Sequence, residues 1–195
     1  MPRMTALVLG LLLFLGAHSV RIVADPWRTR MLARLGEGGW KGVYSLLSAL
    51  GLALIVWGYA QARLQPVALW APMGWARHLA GLLTLAAFVL MAAAYVPGNG
   101  LKARLHHPMV LGVKVWALAH LLANHTLADL LLFGGFLLWA VLCFRAARRR
   151  DAAAGTLYPA GQASRTAITV AVGIGAWAVF AFWVHAAWLG VRPFG

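Results

Sequence analysis

The sequence predicts an all-α fold, a polytopic transmembrane helical bundle of about six spans. Three observations predict it. Apolar residues make up 63% of the chain and charged ones only 11%, whereas a soluble domain carries roughly 25% charged residues. Apolar runs of the length needed to cross hydrocarbon, about 20 residues, recur along the chain. The basic residues gather between those runs. At 195 residues the chain is sized for one domain. No hydrophilic stretch is long enough for a second, so residues 1–195 read as a single integral membrane domain.

The spans follow in order. Span one covers residues 5–23, a run opening behind Arg3 with no small-x-small cleavage site after it, so it reads as a retained span and not a signal peptide. A polar, basic segment follows, with Arg28, Arg30, Arg34, a Gly-Glu-Gly-Gly run and Lys41. Span two covers 42–60. Residues 61–75 hold Pro66, Pro72, Trp70 and Trp75 and read as an interfacial loop with aromatic anchors. Span three, 76–96, stops at the breaker cluster Pro97-Gly98-Asn99-Gly100. Span four, 108–123, opens on Pro108, a favourable first helical residue. After a turn at Asn124-His125-Thr126, span five runs over 127–145 and ends among Arg145, Arg148, Arg149 and Arg150. Span six covers 166–189.

Charge sets orientation and excludes a function class. Seventeen basic residues face four acidic ones. In a soluble protein this excess suggests nucleic acid; between apolar spans it reads as topogenic charge and contact with anionic lipid headgroups. The partner is therefore the lipid bilayer and not nucleic acid. Loops 21–41, 98–107 and 145–165 hold twelve Lys and Arg, the opposite side holds four (Arg3, Arg63, Arg77, Arg192), and Lys114 lies within span four. The rich side is thus cytoplasmic, and both termini lie outside. Cys143 is the sole cysteine, which excludes an internal disulfide and a thiolate cluster.

The chemistry rests on seven histidines, all within or at the ends of spans. Ionisable groups at membrane depth are costly and usually face an interior site, and histidine is a common axial ligand of haem iron. Carboxylates are nearly absent from the spans, which argues against acid–base pairs and against an all-carboxylate metal site. His18 ends span one and His106-His107 opens span four on the same membrane side, so His18 and His107 share a level and could grip one porphyrin. His120 lies 13 residues beyond His107, roughly 20 Å along a helix, in the outer half. At 100° per residue His107, Lys114 and His125 share a stripe, and Trp116, His120 and Asn124 step by four. Lys114, on the His107 stripe, reads as facing a polar interior. On span six, Trp177, Ala181, His185 and Trp188 share a face, and on span one Arg21 follows His18 and could meet a propionate. His78 and His125 read as interfacial and turn residues.

Gly16-Ala17-His18-Ser19-Val20-Arg21, Gly36-Glu37-Gly38-Gly39-Trp40-Lys41, His107-Pro108-Met109 and Trp116-Ala117-Leu118-Ala119-His120-Leu121-Leu122-Ala123-Asn124 together resemble the NnrU family over nearly the whole chain. That family is named for its association with nitrite and nitric oxide metabolism in denitrifying bacteria. It is related to the 15-cis-zeta-carotene isomerases, membrane enzymes with a b-type haem held by two histidines. The resemblance implies a bacterial cytoplasmic (inner) membrane protein with haem b as cofactor. It implies His18 as one ligand and His107 or His120 as the other. It implies nitric oxide or nitrite chemistry or a redox-gated isomerisation, with a hydrophobic small molecule as a possible substrate. A non-catalytic accessory component of a respiratory complex is the alternative from another class. The His-Pro opening of span four also resembles isoprenylcysteine-type methyltransferases, but the polar, acidic C-terminal segment of that cofactor site is missing here.

Overall fold

A computed structural model describes residues 2–194. Its elements are α1 (Pro2–Val23), α2 (Asp25–Arg63), α3 (Ala76–Tyr95), the short α4 (Gly100–Leu105), α5 (Pro108–Ala123), α6 (Leu127–Ala154), α7 (Ala163–Val179) and α8 (His185–Leu189), the last two joined by a π turn over Phe180–Val184. No strand occurs among the described residues; two isolated bridges, Ala68 with Thr126 and Asn99 with Gln162, are the only β pairing. The side chain of Arg3, counted above on the outer side, lies outside the described residues.

Five helices are long and apolar enough to cross a bilayer: α1, α2, α3, α6 and the continuous Ala163–Leu189 stretch. The sixth expected span, α5, is apolar but has 16 residues, about 24 Å of rise against a hydrocarbon core of about 30 Å. Helix ends sit close to the sequence expectation, with two differences. The basic segment before span two is helical from Asp25 and breaks at Gly36, whose φ of 69° and ψ of 170° interrupt α2; a residue without Cβ takes that conformation at little cost. Span five continues as helix to Ala154, well past Arg145, because residues 145–154 hold no Gly or Pro to stop it.

The chain forms two compact units. The first comprises Met1–Trp70 and His125–Cys143. Here α1 and α2 run antiparallel in close contact. A Cβ at Gly58 would collide with the Leu7 backbone, so the glycine lets the two backbones touch, the packing mode that replaces hydrophobic drive inside lipid. Leu7, Leu11 and Ile55 are buried with Leu132 and Phe133 of α6. The loop after α2 is tied to the start of α6 by Leu69 N–H to the His125 carbonyl (2.8 Å) and Leu127 N–H to the Val67 carbonyl (2.9 Å). Thr126 and Asp129 cap α6 reciprocally. The Asp129 carboxylate accepts from the Thr126 N–H (2.9 Å) and hydroxyl (2.6 Å), and the Thr126 oxygen accepts from the Asp129 N–H at 3.3 Å.

The second unit comprises Ala71–Asn124 and Phe144–Gly195, with α3 packed on both α5 and α7. Asn99, 1% exposed, orders the connection that the sequence marks as a breaker. Its amide donates to the carbonyls of Ala93 (2.9 Å) and Val96 (2.5 Å), and its oxygen caps α4 by accepting from the Lys102 N–H (2.8 Å). Gln162 N–H reaches the Gly98 carbonyl (2.9 Å) and Gly100 N–H the Thr166 hydroxyl (2.8 Å), fastening the 155–162 loop to α4.

Candidate functional site: histidines in each unit

In the first unit, α1 and α2 bring an aromatic cage around His18. Its Nδ1–H donates to the Phe14 carbonyl one turn back at 2.7 Å, which fixes the tautomer and leaves Nε2 with the lone pair. The imidazole stacks on the Phe14 ring (centroids 4.2 Å, 26° between planes), with Tyr44 of α2 at 5.2 Å and the edge of Trp139 of α6 at 6.0 Å. In the same unit the Trp139 Nε1 and the Ser48 Oγ, one turn beyond Tyr44 on α2, are buried with no hydrogen-bond partner. An orphaned indole N–H costs roughly 1–3 kcal/mol. Arg21, one turn beyond His18, ends α1 with an exposed side chain.

The second unit holds a polar knot at the α4–α5 corner. His107 Nε2–H donates to Asp151 Oδ2 at 2.8 Å, and the Tyr158 hydroxyl donates to the same oxygen at 3.0 Å. His106 stacks flat on Tyr158 (centroids 4.0 Å, 20°) and accepts from the Arg148 guanidinium. His106 caps α4 with φ of 69°, a conformation unusual for a residue with Cβ. Burial alone would raise the Asp151 carboxyl, but hydrogen bonds from Tyr158 and His107 and the nearby cations bring it below the usual carboxylate range. Tyr158 moves up, through burial and then its bond to Asp151.

The helical-wheel groupings fare unevenly. His107 and Lys114 do share a face: both lie against Phe144 of α6, His107 edge-on at 6.1 Å and the Lys114 ammonium 5.3 Å from the ring centroid. His125 leaves that stripe because α5 stops at Ala123. The Trp116, His120, Asn124 step holds: His120 Nδ1–H donates to the Trp116 carbonyl (2.9 Å), the Trp116 and His120 rings lie 5.0 Å apart, and the Asn124 amide donates to the His120 carbonyl (2.9 Å). The span-six face is broken, because the π turn at Phe180–Val184 inserts a residue into the helical phase. His185 instead donates from Nδ1 to the Val191 carbonyl at 2.7 Å. His78 is exposed at the start of α3, as an interfacial residue would be.

Sequence reasoning missed Asp151 and Tyr158, which lie 44 and 51 residues from His107 (151 − 107 and 158 − 107). Only a fold that brings the end of α6 and the 155–162 loop to the α4–α5 corner could pair them. One signal was available: Asp151 is one of just four acids and directly follows an arginine run.

An axial haem imidazole needs one bare ring nitrogen and an acceptor that fixes the other N–H. His18 meets both conditions. His120 shares the Nδ1–carbonyl bond, whereas His107 has committed Nε2 to Asp151 and would offer Nδ1. No group of three or more His, Cys, Asp or Glu able to hold a metal ion occurs among the described residues.

The fold and these histidines define a multi-pass helical membrane protein whose first span carries a caged imidazole. The profile of the family described as NnrU protein matches residues 6–193, and the chain belongs to that family. No curated protein and no solved structure matches it.

Proposed function

We propose that this chain is a haem b membrane protein of the bacterial inner membrane, linked to nitric oxide and nitrite metabolism, with His18 and, on the sequence expectation, His107 as the residues that would hold the haem. The observation that carries the reading is the His18 geometry: an Nδ1–H committed to the Phe14 carbonyl, which leaves Nε2 for a ligand, and aromatic rings flanking the imidazole. Haem iron would supply a redox-active centre able to take nitric oxide or to gate a reaction by its oxidation state. The protein's part is to orient two imidazoles and to keep water out. The Asp151–His107 bond would hold the ring's orientation, as carboxylates do behind ligating histidines. His107 is chosen over His120 for the membrane level it shares with His18 in the sequence topology.

The test is expression with ample haem supply, followed by optical and EPR spectra of purified wild type and of single His→Ala variants. A low-spin signal lost in His18→Ala and His107→Ala but kept in His78→Ala and His125→Ala is expected. Loss in His120→Ala with retention in His107→Ala moves the second ligand to His120. Wild type without a Soret band refutes the cofactor and leaves a non-catalytic accessory role. A haem protein whose spectrum ignores nitric oxide, but which converts a cis-carotene only when reduced, would be an isomerase instead.

A further inference from the structure

An open groove of about 960 Å³ lies in the second unit between α4 and the first half of α7. Its α7 wall is Ala163, Ala167, Val170, Ala171 and Ile174, residues spaced to fall on one helix face. The eleven helical steps from Ala163 to Ile174 give about 16 Å of rise, close to half of a 30 Å hydrocarbon core. The α7 wall is therefore apolar and about as long as one leaflet is thick. Its mouth lies on the arginine-rich side of the chain. Arg104 lines it, exposed and with no carboxylate beside it: among the described residues the acids Asp25, Glu37 and Asp151 are paired with Arg28, Lys41 and His107, and Asp129 is held by Thr126 and Tyr59. The loops flanking the mouth, 98–107 and 145–165, carry seven Lys and Arg against one acid. Thr166, the other hydroxyl of the lining, is used up, accepting from the Gly100 N–H and donating to the Gln162 carbonyl. Tyr158, tied to Asp151 and stacked on His106, holds one wall of the mouth in place.

An unpaired cation beside an apolar helix wall of one leaflet's length matches an amphipathic anion. We propose that this groove binds one anionic phospholipid of the cytoplasmic leaflet, with its phosphate at Arg104 and one acyl chain along the Ala163–Ile174 face of α7. The site stands independently of the haem reading.

The experiment titrates phosphatidylglycerol or phosphatidylcholine into the full-length, detergent-purified protein and counts retained lipids by native mass spectrometry. One phosphatidylglycerol per chain is expected, preferred over phosphatidylcholine by about fivefold, the factor one surface cation contributes on an anionic lipid. Arg104→Gln should remove the preference, Ala167→Trp should remove retention by filling the trough, and Arg149→Gln, outside the lining, should change neither. Circular dichroism checks that each variant is folded, and Ala167→Val, expected to weaken retention partially, replaces the Trp variant if that one fails. Equal retention of the two lipids by wild type overturns the proposal. So does an equal loss from Arg104→Gln and Arg149→Gln, which would mean diffuse surface charge. Competition by glycerol phosphate alone, or a lipid-free dimer abolished by Ala167→Trp, would assign the groove to a free anion or to a second copy of the chain and overturns it too.

Discussion

Asp129 is the only carboxylate expected within a span, and its surroundings make it a structural acceptor whose loss can be sized. It is 6% exposed. Besides capping α6 through Thr126, it accepts from the Tyr59 hydroxyl of α2 at 2.5 Å. Tyr59→Phe deletes that one bond and leaves the ring packed against Phe133. Neutral interhelical hydrogen bonds inside membranes average only about 0.6 kcal/mol, because the unfolded chain in lipid finds other partners. Bonds to charged groups are worth about 1.5–3 kcal/mol. A short bond to a buried carboxylate belongs nearer the second range, so Tyr59→Phe should cost about 1.5–2 kcal/mol. The clean measure is a double-mutant cycle with Asp129→Asn, read by reversible unfolding in mixed micelles of sodium dodecyl sulfate and a mild detergent. A coupling energy near 1.5 kcal/mol is expected. A coupling below about 0.5 kcal/mol, within the error of such cycles, would refute the reasoning and reduce the Tyr59 contact to a weak neutral bond.

Three other outcomes follow. The Asp151 carboxyl lies below its ordinary range when folded, so its contribution is complete above the unfolded value of about 3.9 and disappears only as pH falls through the lower folded value. Tyr158, raised when folded, contributes fully below about pH 10 and is lost as pH rises beyond it. Hydrogen exchange over residues 155–162 should therefore stay flat from pH 5 to 9, after correction for intrinsic rates, and a protection step inside that window would contradict the assignment. Lys114→Leu should lower stability by about 0.5–2 kcal/mol through the lost contact with Phe144 and leave membrane insertion unchanged; a gain in stability would mean that the Lys side chain only snorkels. Alkaline phosphatase fused to the C-terminus should be active and a fluorescent protein there dark; the opposite result sinks the orientation.

The sequence by itself determined the class of fold and the inventory of chemistry. Spans 76–96 and 108–123 match α3 and α5 almost residue for residue, because a run that must satisfy every backbone group inside lipid has to be helical, and because Pro97-Gly98 and Pro108 punctuate it. The shared face of His107 and Lys114 was also legible, since seven residues make nearly two helical turns. Only the tertiary structure decided what each histidine touches. The π turn after Val179 moved His185 off its expected face, and the end of α5 removed His125 from the Lys114 stripe; both are local backbone events without an apolar period to announce them. Asp151 reached His107 because α6 runs on past Arg145, and Tyr158 because a loop fastened by Asn99, Gln162 and Thr166 returns to the α4–α5 corner. His18 gained its cage because glycines such as Gly51, set against the Phe14 backbone, let α1 and α2 touch. Periodicity reports which face of one helix is apolar, whereas partners dozens of residues away are fixed by how helices pack, and that information lies in the folded contacts alone.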